Sequence, residues 1–332
     1  MAMTETREPS PPESPFRGRE PAAPGRGVGL FIRFGAALLA LGLVVFGVLY
    51  WQDQHVSGGP SLIDRQVAVQ EAAVQKAPNN ISARIALGTV YQQAGRADDA
   101  ITQFDQVLKV APGNLDALGG KGFALLAKGD LAGSTAAYQK IVTAMRSGEF
   151  AGSDTRLQAA YYYLGLIANR QHQPALALQQ LQHALRIQPT DSDSMYQVGL
   201  ALLGQNKPKD AIAVLQRALS FVPTGWCEPY QSIQSAYTSL KQPEEAAYAT
   251  AMFTYCKGDT VQGKAQLEKL TSGPAAVDAL LGLGIVAQTE NDNAGAVAWY
   301  QKVLVKDPKN TVARSYLAAL KVAPSGTPSV TK

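Results

Sequence analysis

The sequence is poor in the residues that do chemistry. Two cysteines and three histidines in 332 residues leave little material for a metal centre or a nucleophile–base pair. His55, His172 and His183 are scattered, so a metal site lacks a third ligand and surface histidines are the simpler reading. No C-x-x-C-H marks haem attachment, no G-x-S-x-G marks a nucleophile elbow, and Gly263-Lys264 lacks the upstream glycine of a phosphate loop. A formal net charge of only +4 gives no basic footprint for nucleic acid. Enzyme activity, cofactors, metals, nucleic acid and a small-molecule substrate are therefore not expected.

Repetition is abundant instead. From Gln158 to Gly225 the chain repeats at a spacing of 34 residues, with Leu164-Gly165 recurring as Val198-Gly199, Ala177 as Ala211, Leu181 as Leu215, Ala184 as Ala218 and Pro189 as Pro223. A fixed period in this range is the signature of a solenoid. Residues 81–114 hold the same scheme in Leu87-Gly88, Tyr91, Gly95, Ala100, Phe104 and Pro112. Small residues allow two antiparallel helices to approach, aromatics fill the space between them, glycine makes the turn, and proline stops the second helix.

This pattern resembles the tetratricopeptide repeat. The resemblance implies an all-α, right-handed superhelical solenoid of antiparallel helix pairs over residues 61–322. Repeats are expected near 81–114, 115–148, 158–191, 192–225, 227–260 and 277–310, flanked by helices 61–76 and 311–322. In the second copy Ser134 replaces the small alanine and Arg146 stands where proline would be, and an insert is expected around Glu149 to Leu157. The helix pairing between 227 and 276 stays open, with Thr260 to Leu270 as an odd extra helix.

The first helix of each tetratricopeptide repeat lines a concave face. Family positions carried onto this chain imply a groove lined by Phe123, Tyr162, Tyr163, Leu166, Asn169, Arg170, Tyr196, Leu200, Ile285 and Gln288, together with Ile85, Leu126 and Asp278 among others. Such a surface suits a peptide or helix with apolar anchors, and Arg170 would hold a carboxylate or carbonyl. The competing reading is that some of these tyrosines pack between repeats. Family members that clamp chaperone C-termini carry Lys and Asn in this face; here Ile85, Thr89 and Gly120 hold those places, so that activity is not expected.

Residues 1–29, with Pro9, Pro11, Pro12, Pro15, Pro21 and Pro24, read as a disordered tail, and 323–332 as a second one. Residues 30–51 contain the uncharged run from Phe34 to Trp51, enough for a tilted transmembrane helix of about 20 residues, and 52–60 form a linker. Arg17, Arg19, Arg26 and Arg33 precede the run, which puts the N-terminus in the cytoplasm and the repeats outside a single-pass inner membrane. A cleaved signal peptide is the alternative; the length of the run and the lack of an A-x-A site argue against it.

If 227–241 and 244–257 form a hairpin, Cys227 and Cys256 approach bridging range. Outside the cytoplasm they would oxidise to a disulfide contributing on the order of 3–4 kcal/mol. Two buried free thiols are the alternative. The expected function is a membrane-tethered extracytoplasmic scaffold that holds a protein or peptide partner during assembly of an envelope complex, similar in layout to assembly factors for c-type cytochromes or secretion machinery. A permanent structural subunit of a membrane complex is the second reading.

Overall fold

The computed structural model describes residues 61–222 and 225–322. The tails, the linker and the apolar run at 30–51 lie outside the described residues. Among those described, no helix is long and apolar enough to cross a membrane.

Fifteen α-helices and no strand make up the described chain. We number them α1 (Leu62–Lys76), α2 (Ile81–Gln93), α3 (Ala97–Val110), α4 (Leu115–Ala127), α5 (Leu131–Met145), α6 (Thr155–Arg170), α7 (Pro174–Ile187) and α8 (Ser192–Gly204). The series continues with α9 (Pro208–Phe221), α10 (Glu228–Ser239), α11 (Pro243–Cys256), α12 (Thr260–Lys269), α13 (Ala276–Thr289), α14 (Asn293–Lys306) and α15 (Thr311–Val322).

Local signals set these boundaries. Asn80, Asn114, Asp154 and Asp191 cap α2, α4, α6 and α8 by accepting hydrogen bonds from backbone N–H groups in the first turn. The second helices α7, α9 and α11 start with Pro174, Pro208 and Pro243, whose missing N–H costs nothing there. Between the paired helices one residue takes a left-handed conformation. It is Gly95 or Gly129 in the first two repeats and His172, Asn206, Lys241 or Asn291 in the others. The next N–H then folds back, as in Gln173 N–H to the Ala168 carbonyl at 2.8 Å, and satisfies a carbonyl left open at the helix end.

Within five of the pairs one glycine faces one bulky side chain sixteen residues later. A Cβ placed on Gly88 would lie 2.8 Å from Phe104, and one on Gly122 would lie 2.9 Å from Tyr138. Gly165 faces Leu181, Gly199 faces Leu215 and Gly284 faces Tyr300 in the same manner. The pair α10–α11 has Ala236 and Met252 at this place, both buried; the unbranched Met fits beside a methyl where a ring would not. Ser134, the substitute for alanine in the second repeat, is fully buried and donates to the Gly122 carbonyl at 2.7 Å. Its hydroxyl is thus satisfied inside the pair.

Two boundaries differ from expectation, and the pairing left open between 227 and 276 is resolved. The insert ends before Leu157, because Asp154 caps α6 and the helix begins at Thr155 with Leu157 buried, while the segment between α5 and α6 still runs over nine residues, 146–154. Helix α11 pairs with α10 and also carries α12, whose Gly263 approaches the Tyr255 backbone so closely that a Cβ there would sit 2.7 Å from Tyr255 N. The final pair, α13–α14, starts at Ala276.

The largest buried cluster runs from Ile212 and Leu215 on α9 through Tyr230, Ile233, Tyr248 and Met252 to Leu283 and Val286 on α13. Asp278 opens onto this region and accepts a hydrogen bond from Tyr237 Oη at 3.2 Å. Burial raises the Asp278 carboxyl above its usual range, the Tyr237 bond pulls it partly back, and Glu245 raises it again. A carboxyl that is harder to ionise when folded favours the fold at low pH, and that contribution is lost as pH rises through its raised value. Asp278→Asn is therefore expected to raise the melting temperature at pH 7 and to leave it unchanged below the ordinary Asp range of about 3.9. Thermal melts of both proteins from pH 3 to pH 8 check this.

Candidate binding groove

The first helices α6 and α8 stand side by side and enclose a cavity of about 500 Å³, lined by Leu166, Asn169, Arg170, His172, Pro174, Tyr196, Gln197, Leu200 and Gly204. Five of the ten groove residues inferred from the family register meet here: Leu166, Asn169, Arg170, Tyr196 and Leu200.

Each has a distinct role in the wall. Asn169 Nδ2 donates to the Gln197 carbonyl at 2.9 Å and to Gln197 Oε1 at 3.0 Å, tying the cavity floor across two repeats. Gln92 does the same between the first two repeats, donating to the Gly120 carbonyl at 2.7 Å. Leu166 and Leu200 supply apolar surface. Arg170 is exposed at the rim and has no ion pair among the described residues, so its guanidinium is available to a carboxylate or carbonyl. Burial raises the Tyr196 phenol above its usual value, which keeps it a neutral hydrogen-bonding group.

The neighbouring aromatics form a seam. Tyr163 stacks on Tyr138 with centroids 4.8 Å apart, and Phe123 and Tyr162 meet its edges at 5.9 Å and 5.1 Å. Tyr163 thus packs between repeats, while Phe123 stays 43% exposed and Tyr162 is half-buried. Asp193 lies beside Tyr162; burial, then Asp191, raises its carboxyl.

Three positions are corrected. Ile285 is buried in the largest core cluster, and Leu126 is buried against Tyr138 and Ile167, so neither offers surface to a partner. Family positions give the face of an isolated helix, and here the adjoining repeat covers part of that face. Gln288 is half-buried and accepts from Tyr300 Oη at 3.0 Å, holding α13 to α14 rather than lining the cavity. Cys227 and Cys256 are joined in a disulfide with Cα atoms 5.6 Å apart. His183 stacks on Tyr161, and among the described residues no three His, Cys, Asp or Glu side chains gather to hold a metal. Trp226 is missing from the inferred groove, yet its ring meets Tyr196 edge-on at 5.1 Å.

The tetratricopeptide repeat model matches residues 85–151, 164–225 and 264–311, more than half of the chain. The chain belongs to the tetratricopeptide repeat family. The stretch between the last two tetratricopeptide matches contains α10, α11 and the disulfide. No curated protein matches the chain. Among solved structures, the MamA protein is 23% identical, covering 55% of this chain and 94% of that one, with a TM-score of 0.46. MamA from Desulfovibrio magneticus RS-1 is 18% identical over 55% of this chain and 97% of its own, with a TM-score of 0.48. The C-terminal part of a TPR repeat-containing protein from Cytophaga hutchinsonii is 17% identical over 76% and 93%, with a TM-score of 0.47.

Proposed function

We propose that this tetratricopeptide protein is a non-enzymatic scaffold that holds a segment of another protein in the groove between α6 and α8. The observation that carries the reading is the cavity itself. It combines apolar walls from Leu166, Tyr196 and Leu200 with Arg170, which has no ion pair among the described residues, the mixture by which a peptide is anchored and oriented. The uncharged run from Phe34 to Trp51 and the arginines before it support a single membrane tether with the repeats outside the cytoplasm, and a role in assembling an envelope or membrane complex fits that placement.

The test is gentle detergent extraction of the tagged full-length protein followed by mass spectrometry, beside an Arg170→Ala/Tyr196→Ala/Leu200→Ala variant. Tyr163 is left alone because it supports the inter-repeat stack. The groove reading predicts a partner set that the variant loses, since interface anchors of this kind contribute about 2 kcal/mol or more each. Partners that persist on the variant would assign binding to another face and favour the permanent-subunit reading.

A further inference from the structure

Trp226 precedes helix α10 rather than lying on it, so the family register leaves it out of the groove. Its contact with Tyr196, a cavity residue, extends the apolar wall towards the fifth helix pair. Ser232, one turn into α10, offsets part of the burial that raises the Tyr196 phenol. The start of α10 therefore stands behind one wall of the cavity.

How that start is fastened differs from the four helix pairs before it, and α13, on Ala275, is likewise uncapped by a side chain. The first helices α2, α4, α6 and α8 each begin on an Asn or Asp side-chain cap. Cys227 occupies the same place before α10 and makes no capping hydrogen bond. Before it come Phe221 and Val222, both exposed, and Gly225, whose left-handed backbone has open space around it. The fastening is the sulfur. Cys227 is bonded to Cys256, the last residue of α11, and α11 is anchored in the largest core by Tyr248, Met252 and Tyr255.

We propose that Trp226 is a wall of the binding groove and that the Cys227–Cys256 disulfide positions it, so that the surface taking the partner's apolar or aromatic side chain is complete only in the oxidised protein. This inference rests on the groove reading above. A dithiol reverses the fastening: its thiolate attacks one sulfur, the other cysteine leaves as a thiolate and takes a proton, and the second thiol of the reagent closes its own disulfide and frees the first cysteine. Two electrons and two protons pass to the protein, and Trp226 loses its hold on Tyr196.

The experiment starts from full-length protein with Trp51→Phe and Trp299→Phe, in which Trp226 alone emits. Emission and acrylamide quenching are measured for this protein, for Tyr196→Ala, for Cys227→Ser/Cys256→Ser, and for the combination. Either change is expected to shift Trp226 emission to the red and raise its quenching. The combination is expected to go no further than the cysteine change alone, because both act on one contact. Dithiothreitol on the folded oxidised protein gives the same comparison if the serine variant folds poorly. If the disulfide only stabilises, opening it lowers the melting temperature yet leaves Trp226 quenching unchanged, and that result overturns the proposal.

The partner set extracted with the full-length chain supplies the second arm. Trp226→Ala is expected to reduce its retention about tenfold and Trp226→Phe to keep most of it. Retention untouched by Trp226→Ala, but lost in the Arg170/Tyr196/Leu200 variant, would overturn the part assigned to Trp226 and leave the groove standing. Retention untouched by both would overturn the groove reading as well.

Discussion

Gly120→Ala is expected to destabilise the chain by about 1–3 kcal/mol, a large effect for a single methyl. Phe104 is 1% exposed and its ring lies between two glycines of successive first helices. A Cβ on Gly120 would stand 2.6 Å from Phe104 Cε1, and a Cβ on Gly88 would stand 2.8 Å from the same atom. The ring cannot retreat from one glycine without meeting the other, so α3 must move away from α2 or from α4. Close-packed interiors resist such movement. Phe104→Leu in the Gly120→Ala background is expected to restore part of the loss, since the smaller side chain leaves room for the methyl. Gly113→Ala is the control: nothing lies within 4 Å of its Cβ, and the change is expected to be neutral or slightly stabilising. Urea denaturation of the four proteins, with hydrogen exchange read across α2 to α4, decides the matter. Equal stability of Gly120→Ala and Gly113→Ala would show that the seam between these repeats is looser than described.

Opening the disulfide is expected to cost more. Cys227 and Cys256 are separated by 29 residues. Closing a loop of that size contributes about 3–4 kcal/mol in the chain-entropy model, less whatever structure the unfolded chain retains. The helices it joins keep Tyr230, Ile233, Tyr248 and Met252 in one buried cluster, so the loss should not unfold them. In a solenoid each pair is stabilised by its own packing and its neighbours'. The effect should accordingly be local, with faster hydrogen exchange at the start of α10 and the end of α11 and little change in α2 to α5. A melting temperature insensitive to Cys227→Ser/Cys256→Ser would contradict this, as would an even loss of protection along the chain.

The fold was legible because a few residues per repeat state its geometry. A glycine facing a large side chain sixteen positions later, as in Gly165 and Leu181 or Gly284 and Tyr300, is a packing instruction visible without coordinates. The starts of three second helices carried a signal that the repeat pattern does not use, since Pro174, Pro208 and Pro243 stand at the first helical positions. The start of α6 was misjudged although its signal was present: Asp154 is an N-cap residue followed by Thr, Arg and Leu, and it accepts from both Arg156 N and Leu157 N.

Half of the inferred lining meets in one cavity. Periodicity identifies the face that a helix turns away from its own partner, and Leu166, Asn169, Arg170, Tyr196 and Leu200 line that cavity together. It cannot say which parts of that face the next repeat covers. Ile285, Leu126 and the ring of Tyr163 are taken up by neighbouring helices for that reason. Trp226 escaped because its position depends on a link between residues distant in sequence and not on any helical register.

The most direct measurement places a photo-crosslinking amino acid at Leu200, inside the cavity, and separately at Val305, an exposed position on α14 away from it. Irradiation of cells producing the full-length chain is predicted to give a discrete adduct from position 200 and none from position 305. An adduct from position 305 with none from position 200 would contradict the account, because the partner would then be held outside the groove.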